Sequence, residues 1–66
     1  MSYESKYKDF FDAIRAMSKH DLLVWNFEPT WVWRTIRSRV VDLGAETEFV
    51  LRVYLHKGKL FVIRFE

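Results

Sequence analysis

The spacing of the apolar residues changes along the chain, and this change constrains the fold more than any other feature of the sequence. In residues 3–18 the apolar side chains recur at three- and four-residue steps, which indicates a helix with one buried face. From Glu46 to Glu66 they recur at every second position, which is typical of strands. The sequence therefore predicts an α+β fold.

The first predicted helix runs from Tyr3 to Ser18, with Ser2 as its N-cap. The short apolar segment Leu22 to Phe27 follows, bounded by Asp21 and Pro29 and rich in strand formers. We interpret it as a brief strand, while a helical turn stays an alternative for a run this short. The buried face of the helix is expected to consist of Tyr3, Tyr7, Phe10, Phe11, Ile14 and Met17.

The second predicted helix runs from Trp31 to Leu43, with Thr30 as its N-cap and Gly44 as a left-handed stop. Arg39 lies at the edge of its buried stripe, where the stem of the side chain can cover apolar surface. The buried stripe is expected to contain Val32, Trp33, Ile36, Val40 and Leu43. The opposite side carries Trp31, Arg34, Arg37, Ser38 and Val41.

The C-terminal segment predicts a β-hairpin that turns at His56-Lys57-Gly58-Lys59, and two registers are possible. A two-residue loop pairs Leu51 with Arg64 and mixes charged and apolar residues on both faces. A three-residue loop with a bulge at Gly58 separates them, so we favour it. Its buried face contains Phe49, Leu51, Val53, Phe61, Ile63 and Phe65. Its outer face contains Glu48, Val50, Arg52, Tyr54, Leu60, Val62 and Arg64.

These elements predict one domain, residues 1–66, in the order α-β-α-β-β. Two helices are expected to pack on one face of a small three-stranded sheet that ends in the C-terminal β-hairpin. A chain of this length needs a dense core, and its 18% aromatic content supplies one.

Several function classes are not expected. The absence of Cys excludes disulfides, thiolate zinc sites and a Cys nucleophile, and it fits a cytoplasmic location. The two His are too few for a convincing metal site. The chain lacks a signal-peptide pattern, an apolar run long enough for a membrane span, and any catalytic motif. We therefore expect a binding protein with no cofactor, not an enzyme and not a membrane protein.

The basic residues are concentrated in the second half of the chain. Residues 1–29 carry four Lys/Arg against five Asp/Glu, a net −1, whereas residues 30–66 carry seven against four, a net +3. Arg forks match phosphate, and an aromatic ring can stack on a base, so we predict a nucleic-acid surface here. An ordinary solvated helix face and turn remain the alternative. The predicted surface consists of Trp31, Arg34, Arg37, Arg39, Lys57 and Lys59.

The predicted outer sheet face is more apolar than a free surface requires, and such patches usually mark partner surfaces. A second copy of the chain, forming a homodimer, or a host protein would cover it. An exposed face in a very small protein is the alternative. The predicted contact residues are Val50, Arg52, Tyr54, Leu60, Val62 and Arg64.

Residues 30–66 also resemble small phage and mobile-element proteins, several of them winged-helix or related compact DNA-binding regulators. The pattern is R-x-R-x-x-x-L-G over residues 37–44, F-x-x-R over residues 49–52 and G-x-L-x-V-x-R over residues 58–64. The resemblance implies a DNA-binding regulator, or alternatively a phage-type inhibitor of a host protein. A winged helix has a third helix where this chain has the segment 22–27. The resemblance implies nucleic-acid contacts by Arg37, Arg39, Arg52 and Arg64.

Overall fold

The structure, a computed structural model, describes residues 6–66. Over these residues it contains two helices and three strands in the order α-β-α-β-β, which confirms the predicted fold class. The predicted cap Ser2 and the apolar Tyr3 lie outside the described residues. The elements are α1 (Lys8–Arg15), β1 (Leu22–Asn26), α2 (Trp33–Thr47), β2 (Leu51–His56) and β3 (Lys59–Arg64).

The sheet is antiparallel with the order β1-β3-β2, so the last strand of the chain is the central one. The segment 22–27, predicted as a strand or a helical turn, is therefore a strand that pairs with β3. Opposite Leu60 lie Trp25 on one side and Leu55 on the other. Opposite Val62 lie Leu23 and Val53. These cross-strand neighbours define the face that the helices cover.

The predicted hairpin register was wrong. The loop has two residues, Lys57 and Gly58, and both have positive φ (50° and 76°), which is the backbone of a type I′ turn. Leu60 and Val62 are consequently fully buried, and Phe61 is only half-buried on the opposite face. This register does place one charged residue, Arg64, among apolar residues on the covered face. The fold tolerates it because Arg64 is the last residue of β3.

The core lies between the helices and the covered face of the sheet. Tyr7 and Phe10 of the α1 region contact the ring of Trp31, with ring centroids 5.2 and 5.6 Å apart. These rings occupy much of the space under the helices, so the central strand contributes the smaller Leu60 and Val62. The buried cluster contains Tyr7, Phe10, Phe11, Ile14, Met17, Ile36, Val40, Leu43, Leu60 and Val62.

Both helices differ from their predicted bounds. Helix α1 ends at Arg15, where the predicted one continued to Ser18. Helix α2 begins at Trp33 after a turn in which Trp31 N donates to Glu28 O at 3.0 Å, so Thr30 is not its N-cap. Val32, predicted to be buried, is the exposed N-cap residue of α2.

Helix α2 continues past Gly44 to Thr47, and Glu48 takes the left-handed conformation that ends it. Gly44 instead accommodates a close approach of the chain, because a Cβ there would lie 3.2 Å from the carbonyl oxygen of Phe49, a tight contact. The chain that leaves the helix therefore passes close to the Gly44 backbone. Within residues 6–66, no helix is long and apolar enough to cross a membrane.

Candidate nucleic-acid interface

The start of α2 and the tip of the hairpin lie at the same end of the domain. Phe27 connects them, because its N–H donates to Gly58 O at 2.9 Å and its ring contacts Trp31 with centroids 6.3 Å apart. Helix α2 runs from this end towards Phe49, which lies two residues before β2 begins. We call this end, with Arg34, Arg37, Lys57 and Lys59, the basic end.

The four cationic side chains of the basic end are exposed. Lys59 Nζ donates to Asn26 Oδ1 at 2.9 Å, which holds its charge beside the end of β1. Arg34 and Arg37 are one helical turn apart and lie on the same side of α2, as predicted. Lys57 occupies the turn itself.

The two sequence segments that carry these cations contain no acidic residue. Between Thr30 and Val41, and again between Phe49 and Phe65, the chain contains no Asp or Glu. Asp42 and Glu46 lie in the C-terminal half of α2, and Glu48 is its C-cap residue. Glu46 pairs there with Arg15, whose Nη2 lies 3.6 Å from Glu46 Oε1. Glu28, in the loop before α2, is an acidic residue at the basic end, so the cations there outnumber the acids without excluding them.

Trp31 does not lie where the predicted surface requires it. Its ring is half-buried against Tyr7, Phe10 and Phe27, since Trp31 precedes the helix instead of beginning it. Trp33 takes the position beside the arginines. It lines a shallow depression on α2 of about 500 Å³, together with Arg34, Arg37, Ser38, Val41 and Asp42.

The remaining predicted arginine contacts divide into two kinds. Arg39 is half-buried, as its place at the edge of the stripe predicted. Arg64 is an internal anchor: its Nη1 donates to Met17 O at 2.6 Å, and its guanidinium carbon lies 3.6 Å from the centroid of the Phe49 ring. Arg64 therefore connects β3 to the end of α1 and is not available as a surface contact.

The sheet face away from the helices, called the open face here, is apolar as predicted, but half of its predicted residues were wrong. Val50, Arg52 and Tyr54 do lie on it, exposed. Leu60 and Val62 lie on the covered face because the hairpin has the two-residue loop. The side chains on the open face, by strand alternation, are Leu22, Val24, Asn26, Val50, Arg52, Tyr54, His56, Lys59, Phe61, Ile63 and Phe65.

The predicted face lacked β1 and the two half-buried β3 residues Phe61 and Ile63. A signal for β1 was present. Leu22 and Val24 alternate with Leu23 and Trp25, and a strand covered on one side places one of these pairs outside. Leu22 is 59% exposed. The alternation alone does not tell which pair faces the helices.

Among the described residues, the open face carries no acidic side chain, and it carries the cations Arg52 and Lys59, with His56 opposite Lys59. Tyr54 and Phe61 are directly opposite each other on β2 and β3. Within the described residues, no group of three His, Asp or Glu could hold a metal ion. The face thus combines a ring pair with positive charge.

Comparison with known proteins found no family model that matches the chain, no similar curated protein and no similar solved structure.

Proposed function

We propose that this protein binds nucleic acid, with DNA as the first ligand to test, and that it acts by binding without catalysis. The basic end makes the phosphate contacts through Arg34, Arg37, Lys57 and Lys59. This role agrees with the resemblance to small phage and mobile-element DNA-binding proteins, which implies that the chain is a regulator.

The observation that carries the proposal is the uneven distribution of charge along α2. Four exposed cations lie at the basic end, whereas Glu46 and the C-cap residue Glu48 lie at the far end of α2. Such a distribution favours the approach of a polyanion to the basic end, because four cations are grouped there. The first turn of α2 supports the same end, since it contains no acidic residue and its positive dipole points there.

The test is the salt dependence of binding. Each phosphate contact releases counterions, so four contacts predict a slope of log affinity against log salt of about −3 to −4. The double variant Arg34→Ala, Arg37→Ala should reduce that slope by about two. Duplex and single-stranded DNA and RNA are titrated from about 50 mM salt upwards, where screening of surface charge is still moderate.

A matched control removes the same charge elsewhere. Arg15 and Lys19 lie at the opposite end of the domain, and the ion pairs of Arg15 are exposed and contribute little to stability. The double variant Arg15→Ala, Lys19→Ala should leave the slope unchanged. Affinity for every nucleic acid weaker than about 100 μM would contradict the proposal, because that is the weak limit of ordinary non-specific binding.

Protein docking through the open face is a second candidate function, favoured by the exposed aliphatic residues Leu22, Val24 and Val50. A host protein or a second copy of this chain would cover them. Binding of this kind is driven by apolar burial and changes little with salt. The pull-down of a specific protein that survives nuclease treatment would support it over the nucleic-acid function.

A further inference from the structure

The open face combines aromatic and cationic groups in an ordered pattern along two paired strands. Tyr54 on β2 is 50% exposed and pairs directly with Phe61 on β3. Arg52 lies two residues from Tyr54 on β2, and Lys59 lies two residues from Phe61 on β3, opposite His56. Because the strands are antiparallel, Arg52 and Lys59 lie on opposite sides of the ring pair. The rings therefore lie between cations at both ends.

We infer that the open face binds single-stranded nucleic acid, with bases stacked on Tyr54 and Phe61 and phosphates held by Arg52 and Lys59. This inference rests on the proposed function and specifies its ligand. Every base has an aromatic face, so rings on an open sheet bind single strands with little regard to sequence, whereas a duplex keeps its bases stacked on each other.

Charge selects an anion over a second copy of the chain. Within residues 6–66, the open face has no carboxylate that could pair with Arg52 or Lys59 of another copy. Two copies in face-to-face contact would bring these cations together, which is unfavourable where water is excluded. A polyphosphate backbone supplies the missing negative charge and neutralises both cations at once.

The area of the open face also favours a single strand over a second copy of the chain. Three strands spaced about 4.8 Å apart and about six residues long give a face of roughly 14 by 20 Å. A stable protein interface buries about 800 Å² on each partner, which is more than this face offers. A single strand needs less area, since even four-stranded RNA-binding sheets stack only about two or three bases. Lys59 belongs to both surfaces, so the open face continues into the basic end.

The test measures binding of a labelled oligo(dT) of about 12 nucleotides, within the usual site size for single strands, by fluorescence anisotropy. Tyr54→Leu with Phe61→Leu should weaken it by about tenfold or more, because loss of one stacked base alone is worth roughly 5- to 150-fold. The salt slope should not change, since no phosphate contact is lost. Tyr54→Phe keeps the ring and should retain binding, and circular dichroism checks the fold of each variant.

The outcomes separate this inference from the proposed function. If the Tyr54→Leu, Phe61→Leu variant binds oligo(dT) as tightly as the natural chain while Arg34→Ala, Arg37→Ala weakens it, stacking is wrong and the basic end remains. If the natural chain binds no nucleic acid, both proposals fail. If sedimentation shows a dimer that Val24→Asp dissociates, a second copy covers the open face and the inference is overturned.

Discussion

The two-residue hairpin loop makes a direct prediction about Leu60. In the observed register its side chain is 0% exposed, and it lies opposite Trp25 and Leu55 beneath the helices. In the alternative three-residue register the same side chain would face solvent. Replacement of Leu60 by Ala therefore distinguishes the two arrangements of the hairpin.

The magnitude follows from the burial. A fully buried Leu replaced by Ala costs about 2–5 kcal/mol, because transfer free energy is lost and a cavity remains. A domain of this length has a total stability of about 3–10 kcal/mol, so a cost of about 3 kcal/mol removes a large part of it. The midpoint of thermal unfolding should fall by roughly 12–24 °C.

The assay is urea unfolding followed by circular dichroism, with the thermal midpoint as a second measurement. Leu22→Ala is the matched control, because it is the same chemical change on the open face, where the side chain is 59% exposed. The control should change the free energy of unfolding by less than about 0.5 kcal/mol. If Leu60→Ala costs less than about 1 kcal/mol, too little for a buried Leu, the two-residue register is refuted.

Three further changes test local features. Helix propensity alone predicts that Gly44→Ala raises the free energy of unfolding by about 1 kcal/mol. We expect no such gain, because the new Cβ would lie 3.2 Å from Phe49 O. A clear rise in stability would contradict that contact. Gly58→Ala should lower stability by about 1–2 kcal/mol through backbone strain at φ +76°, since nothing lies near the added methyl, and an unchanged urea midpoint would count against the turn. The 2.7 Å hydrogen bond from Lys8 holds the pKa of the Asp12 carboxyl below its usual value. The small contribution of this pair to folding stability is therefore present at neutral pH and is lost as the pH falls through that lowered pKa. An NMR titration should show the pKa of Asp12 rising in Lys8→Ala, and no rise would contradict the pairing.

The sequence by itself determined the order of the elements and much of the core. The helical spacing of Phe10, Ile14, Ile36 and Val40 placed these residues correctly in the buried cluster. Such spacing is a local property, because one face of a helix must leave water whatever it packs against. The strand character of the segment 22–27 followed in the same way from its composition and its flanking residues.

The candidate site was predictable where it depended on exposed charge. Arg34 and Arg37 share one side of α2, and Lys57 and Lys59 flank the turn at Gly58, as the sequence indicated. The role of Trp31 was not predictable, because the helix begins two residues later than the capping pattern suggested. The rings of Tyr7, Phe10 and Phe27 then enclose Trp31, and no local sequence pattern indicates such a contact.

Only the tertiary structure decided which face of the hairpin is covered. Along β3 the residues Leu60, Phe61, Val62 and Ile63 are all apolar, so alternation alone does not choose between them. The space left by the aromatic side chains of the helices and β1 accepts Leu60 and Val62, and Phe61 is placed outside beside Tyr54. Arg64 stabilises the same arrangement of faces, because its side chain, at the end of β3, points inward and donates to the carbonyl oxygen of Met17. The ring pair on the open face is thus a consequence of packing on the opposite side of the sheet.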